Sequence, residues 1–232
     1  MFEQIRQWFA RSQAGRGVPD HFPRPVTAGD QPLSGCRMIV LDLETSGLNA
    51  SKDEVIAIGA VAIEQNAIRL DDQFDLVLRR PDLDITETVL IHGIGPEALT
   101  RGHETRDALI HLLEWMNGDP ILAYHSAFDK KFLEKALKTR LGYSAQHLWI
   151  DVAKLLPAFF PHADIAGHSL DHWADHFNLQ ISERHHAAAD ALVTAELTLI
   201  ALNIARKQNV RSLKELINKL HYQRRLQQMH QL

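Results

Sequence analysis

Asp42 and Glu44 close an apolar run, Arg37-Met38-Ile39-Val40-Leu41-Asp42-Leu43, that reads as a buried strand ended by Ser46-Gly47. Residues two apart on a strand point to the same face, so these carboxylates stand side by side. Paired this way they repel each other, and burying them is costly unless something positive lies between them. The alternative is a strand end emerging into water. Asp129 follows Tyr124-His125-Ser126-Ala127-Phe128, where a short apolar strand passes into a helix carrying Phe132, Leu133 and Leu137. An Asp at that point either caps the helix or joins the first two acids. Asp190 ends the run Arg184-His185-His186-Ala187-Ala188-Ala189-Asp190, which opens an alanine-rich helix. His185 and Asp190 do not stack at a spacing of five. The arrangement works if His185 lies just before or in the first turn while Asp190 points inward. The alanines let another element approach closely, and an inward Asp needs a partner.

Four carboxylates on three separated elements, with one histidine, have a coherent use. Oxygen-rich donor sets select hard cations such as Mg²⁺ or Mn²⁺. Two such ions can flank a scissile phosphate, and a histidine titrating near neutrality can take the proton of an attacking water.

The elements that must position these groups can be traced along the chain. Strands are expected at 37–43, 54–64 and 67–78, with Gln65-Asn66 as the turn between the last two. Helical patterns follow near 104–117, 128–140, 152–159, 168–178 and 186–205, with a strand at 121–124 between the first two. Three strands followed by alternating helices point to an α/β or α+β layered domain. Phe2, Ile5, Trp8 and Phe9 mark a short amphipathic helix over 2–12, and the proline- and glycine-rich stretch 15–35 reads as a linker or a strap on the surface. The expected division is an accessory segment 1–35, a main domain 36–205, and a basic C-terminal helix 206–232. Between 206 and 225 seven basic residues face the single acid Glu215, a local charge of +7 − 1 = +6. That helix either touches a phosphate backbone or presents a solvated face.

Bulk properties narrow the classes. The 232 residues are 45% hydrophobic and 23% charged, an ordinary globular composition. Cys36 stands alone, which excludes an internal disulfide and agrees with a reducing compartment. No apolar run approaches the ~20 residues of a membrane span, and the N-terminus lacks the apolar core of a signal peptide, so a cytoplasmic protein without a membrane partner is expected. A net charge of −4 and a pI near 6.4 argue against a basic, non-specific nucleic-acid coat, but not against an acidic site whose charge bound cations neutralise.

Several residues imitate function. His168, His172 and His176 recur every four residues, but Leu170, Trp173, Ala174 and Phe177 form the apolar stripe of that segment and leave the histidines on its wetter side. With no second cysteine and no His-Glu-x-x-His, a zinc site is not expected. Asp151 reads as a helix N-cap, and Trp115, set among Leu112, Leu113 and Met116, reads as core.

The motifs together resemble the DEDD superfamily of 3′→5′ exonucleases in its histidine-containing branch, and within it the proofreading epsilon-type subunits of bacterial DNA polymerase III. The first motif is Asp42-Leu43-Glu44-Thr45-Ser46-Gly47, the second His125-Ser126-Ala127-Phe128-Asp129, and the third His185-His186-Ala187-Ala188-Ala189-Asp190. A softer match, Glu87-Thr88-Val89-Leu90-Ile91-His92-Gly93-Ile94, resembles the loop that holds the terminal nucleotide in such enzymes. The likeness covers about residues 37–205. Leu43 stands where epsilon subunits commonly have Thr, and Ser126 where Asn is frequent; neither change removes a ligand. The resemblance implies an RNase H-like mixed β-sheet flanked by helices, with Asp42, Glu44, Asp129 and Asp190 as ligands of two divalent ions and His185 as general base. It further implies substrate contacts from Thr45, Gly47, Glu87 and His92. The implied reaction is hydrolysis of single-stranded nucleic acid from its 3′ end to nucleoside 5′-monophosphates. DNA is favoured over RNA, and association with a DNA polymerase is allowed. The alternatives are an RNA 3′-end trimming enzyme and a non-catalytic nucleic-acid-binding module; the latter would be expected to lack a ligand, and none is missing.

Overall fold

The computed structural model describes residues 22–85, 88–163, 165 and 169–229. The helix expected at 2–12, Glu87 and His168 lie outside them. Strands β1 (Met38–Thr45), β2 (Val55–Glu64) and β3 (Ala67–Val77) form an antiparallel meander. Gln65 and Asn66 make the turn between β2 and β3, each at positive φ (51° and 62°), as a tight hairpin requires. After the short helices α1 (Val89–His92) and α2 (Pro96–Arg101) and the longer α3 (Thr105–Met116), strand β4 (Ile121–Ala123) enters parallel to β1. Helix α4 (Ala127–Leu141) carries the chain to β5 (Trp149–Asp151), parallel to β4. The five-stranded sheet runs β3-β2-β1-β4-β5. Helices α5 (Val152–Phe159), α6 (Leu170–His176), α7 (Ala187–Lys207) and α8 (Leu213–Met229) complete an RNase H-like mixed sheet flanked by helices.

Strand alternation sorts the core into two layers. Met38, Val40, Val61 and Ile63 pack against α5, α6 and α7, whereas Ile39, Leu41, Leu43, Ile58 and Phe74 pack against α3 and α4. Leu43 therefore faces away from Asp42 and Glu44. Helix α7 is long and apolar enough to cross a membrane by length and composition, yet it lies against β1 and β2 with Ala191, Ala195, Leu197 and Ala201 buried. It is the core helix of the domain.

The expected elements recur within a few residues, with β1 running two residues further than expected, through Glu44 to Thr45. Strand β5 and the helices α1 and α2 were not anticipated. In α8, Leu213 and Leu216 are fully buried in the same core layer as α7, with Ile217 and Leu220 packed beside them. In the 22–35 stretch, Val26 donates to Gly118 O at 2.9 Å, Leu33 is buried, and Pro32 bridges to Ser212.

Trp115 behaves as core. Its indole donates to Asp72 at 2.6 Å, and the Arg37 guanidinium lies 5.0 Å from its ring centre. Asp151 caps α5, accepting from Ala153 N at 3.1 Å. His172 and His176 are exposed; His172 lies 2.7 Å from Ser169 Oγ, and His176 packs on the rings of Trp173 and Phe177.

Candidate active site

Three elements meet at the C-terminal end of β1. Asp42 and Glu44 project from the face that α7 covers, and Asp42 pairs in register with Gly59 of β2. A Cβ at Gly59 would fall 2.1 Å from the backbone of Ala187 and Ala188, so only glycine lets the first turn of α7 rest directly on the sheet. That contact brings Asp190 against the strand. One oxygen from each of Asp42, Glu44 and Asp190 lies within 4.8 Å of the others. A bulge between Glu44 and Thr45 re-aims the strand just past the second acid.

Asp129 enters from the first turn of α4. Its Oδ1 accepts from Leu43 N at 3.2 Å and ties the helix to β1. It is 3% exposed, and its charge is felt at Asp42, but it stands outside the tight trio. His185 precedes α7 in a left-handed conformation (φ 58°), its amide donating to Asp190 Oδ2 at 3.1 Å. His125 is also left-handed (φ 56°). Such backbone is unusual for a non-glycine residue and gathers at functional sites. All of these groups line one cleft of about 340 Å³, which Tyr124 and Phe128 also border.

Repulsion and burial dominate the electrostatics. Burial first, then the charges of Asp129, Asp190 and Glu44, push Asp42 well above the usual carboxylate range. Burial and then Asp190 raise Glu44 to about 7. Burial raises Asp129 to about 8, against the hydrogen bonds that favour its charged form. Among the described residues, the one arginine or lysine lining the cleft is Arg184, whose guanidinium bonds both Asp190 and Asp171. Asp190 Oδ1 remains buried with no hydrogen-bond partner. An all-oxygen set, converging and short of positive charge, with an orphaned acceptor, fits a hard divalent cation. Among the described residues it is the only such group of potential metal ligands.

The residues expected to touch substrate are less uniformly placed. Thr45 is buried and its hydroxyl donates to Gly47 O at 2.7 Å, while Gly47 packs against the Asp53 carboxylate. Both shape the 46–54 loop beside the acids. His92 is 8% exposed; its Nδ1 accepts from Ile94 N at 3.1 Å, and its Nε2 is buried without a partner. Burial, then the nearby His185, lowers its pKa.

The exonuclease family model RNase_T matches residues 39–198, an interval that contains all four acids and the histidine. The chain belongs to this exonuclease family. Among curated proteins, this exonuclease is similar to the DNA polymerase III PolC-type proteins of Thermotoga petrophila and Bacillus subtilis. The first is 29% identical over 82% of the chain, the second 27% identical over 86%. The chain spans 14% of the length of each. Its fold is similar to that of E. coli exonuclease I in complex with a dT13 oligonucleotide, with a TM-score of 0.64 and 16% identity, covering 75% of this chain and 42% of that one. It is also similar to exonuclease X in complex with 5′ overhanging duplex DNA, with a TM-score of 0.61 and 18% identity, covering 79% of this chain and 99% of that one.

Sequence reasoning missed three residues of the exonuclease's cleft that geometry makes prominent. Phe128 is visible in the sequence only as part of the second motif, and Tyr124 only as the end of the strand before it. Nothing in the local pattern of Arg184 signals that a partner, Asp171, lies thirteen residues away.

Proposed function

We propose that this exonuclease removes nucleotides from the 3′ end of single-stranded DNA, releasing nucleoside 5′-monophosphates. The observation that carries the reading is the convergence of Asp42, Glu44 and Asp190 within 4.8 Å, beside Asp129 and His185 in one cleft. Two divalent ions, Mg²⁺ or Mn²⁺, held by Asp42, Glu44, Asp129 and Asp190 would supply Lewis acidity to the phosphodiester and to the leaving oxygen. His185 is exposed at the cleft, and the bond from its amide to Asp190 fixes its backbone relative to the acids. Its imidazole takes the proton of the attacking water as the water oxygen bonds to phosphorus. The P–O3′ bond breaks, the O3′ oxygen takes a proton from solvent water, and the shortened strand leaves with a new 3′-hydroxyl.

Substrate placement falls to the 46–54 loop and helix α1. Because His92 Nδ1 is an acceptor, its Nε2 carries the proton and can donate to a nucleotide oxygen. Leu48, 87% exposed on the loop that carries Gly47, and Leu90, 91% exposed on helix α1 with His92, offer apolar faces to a terminal base. Thr45, Gly47 and Glu87 complete the proposed contacts. DNA is favoured over RNA because the curated relatives are DNA polymerases and the fold neighbour was captured with a DNA oligonucleotide. Association with a DNA polymerase, and a cytoplasmic location, belong to the same proposal.

The test uses matched DNA and RNA oligonucleotides labelled at either end, with Mg²⁺ or Mn²⁺. DNA should shorten from the 3′ end, stop in excess chelator, and resume with either ion. Shortening from the 5′ end, or full activity in chelator, would overturn the reading. Faster loss of RNA would transfer the enzyme to RNA trimming.

A further inference from the structure

Among the described residues, Arg184 is the one arginine or lysine lining the cleft of the four carboxylates, and it has two partners on different elements. Its Nη1 bonds Asp190 Oδ2, the atom that also accepts from His185 N. Its Nε bonds Asp171 Oδ1, and its Nη2 lies 3.4 Å from Asp171 Oδ2. The two carboxylates differ in their surroundings. The Asp190 side chain is 7% exposed, whereas that of Asp171 is 52% exposed at the start of α6. The Arg184 charge also reaches Asp42 and Glu44, where it opposes the repulsion among the acids. A guanidinium in this position occupies one oxygen of a residue expected to ligate a divalent ion.

We propose that Arg184 is a built-in counter-ion that competes with the divalent cation for Asp190, and that Asp171 is the carboxylate onto which it withdraws when the cation binds. This rests on the divalent-ion reading of the site and adds to it a device that sets how tightly the ion is held. In the ion-free protein the guanidinium relieves the crowding of Asp42, Glu44 and Asp190. On ion binding it need not leave the protein surface, because its Nε and Nη2 already face Asp171. Arg184 is accordingly a positioning residue whose exchange between partners tunes ion affinity. The planar fork of arginine suits it to serve two carboxylates at once, which a lysine ammonium does less well.

The experiment is Mn²⁺ binding by titration calorimetry on the full chain, without nucleic acid, paired with melting temperature in chelator. Arg184→Gln should bind Mn²⁺ roughly three- to tenfold more tightly and melt at a lower temperature without the ion. Asp171→Asn should bind Mn²⁺ more weakly by a similar factor, because Arg184 then has only Asp190. Plain loss or gain of a nearby charge would give the same two signs, so the double variant decides. If Asp171 acts only through Arg184, the double variant binds as Arg184→Gln alone does; independent charges would instead add. Arg184→Lys should fall between parent and Arg184→Gln. Additive effects, or weaker Mn²⁺ binding in Arg184→Gln, overturn the proposal. A parent protein that binds no Mn²⁺ would bring down the divalent-ion reading itself.

Discussion

Two groups of charged side chains are held against this sheet, and they are built on opposite plans. Around Arg37 each carboxylate is bonded to the guanidinium, although burial still raises Asp119. Asp72 and Asp119 bond the guanidinium at 2.9 and 2.8 Å, the Trp115 carbonyl accepts from it, and the Trp115 indole donates to Asp72. At the end of β1, four carboxylates meet one shared arginine, and three of the four are pushed upward in pKa by burial and repulsion. The first group behaves as a structural clamp between β1, β3 and the end of α3. The second is left short of positive charge by its own residues, the condition of a site that awaits a cation. Counting acids would not separate the two; the balance of partners does.

The largest expected effect breaks the comparison at its acidic side. Asp42→Ala should lower turnover by about 10⁴-fold, because the loss of an ion's charge stabilisation is worth several kcal/mol. Its melting temperature in chelator should stay level or rise, since one repulsive charge is gone. Cleavage rate with Mg²⁺ and melting without it are the paired measurements; normal turnover with a large fall in melting temperature would make Asp42 structural.

Within the acidic group, the histidines separate moving a proton from holding charge. His185→Ala should cost about 10²–10⁴-fold in kcat with a smaller change in KM. His186→Ala, at the N-cap position of α7 with no side-chain capping bond, should stay within a few-fold of the parent. The base must be neutral to accept a proton, so the parent rate should fall as pH drops, and His185→Ala should lose that limb. Equal losses at the two positions would mean that the general base is misassigned.

A smaller signature appears without any substrate. Glu44 at about 7 and Asp129 at about 8 stand above an unfolded carboxyl, which titrates near 4. The folded protein thus holds these protons more tightly than the unfolded chain does. Stability in chelator should be greatest below about pH 4.5 as far as these groups govern it, and should fall as pH rises through about 8. Glu44→Gln should flatten part of that fall, and Mn²⁺ should restore the high-pH stability. A melting temperature indifferent to pH between 5 and 8, in chelator, would show that the acids are not crowded in solution.

The smallest effect tests the balanced group. Arg37→Ala strands Asp72 and Asp119 and should cost about 2 kcal/mol, or about 4–8 °C in Tm for a chain of this size. Mg²⁺-dependent cleavage should be unchanged below that melting point. Lost cleavage at full stability would merge the two groups into one.

Much of this arrangement was legible in the sequence, and the gaps have physical causes. The apolar runs of β1 to β3 are long enough for alternation and turn residues to speak, and the same-face rule alone pairs Asp42 with Glu44. Asp151 was readable as a cap because capping is a contact two residues long. Strand β5 escaped because three residues carry no period and only Ile150 among them is fully buried. The packing of α8 was obscured by its charge, although Leu213, Leu216, Ile217 and Leu220 show the helical i, i+3, i+4, i+7 stripe. Arg184 and the orphaned Nε2 of His92 depend on side-chain directions across the fold, which local pattern does not encode.

The direct seating of α7 on Gly59 bears on how this domain tolerates sequence drift. Elsewhere in the core, helices stand off the sheet by a layer of side chains, so an exchange such as leucine for methionine shifts the helix by whatever the new shape demands. Between Gly59 and Ala187 no side chain intervenes, and the offset between β1 and Asp190 is fixed by main-chain atoms in contact. A replacement at Val193 or Leu197 alters the packing further along α7, while the first turn stays registered on the strand. The spacing of the acids is thereby insulated from the turnover of the residues that stabilise the rest of the fold, leaving one glycine as the position where drift reaches the chemistry.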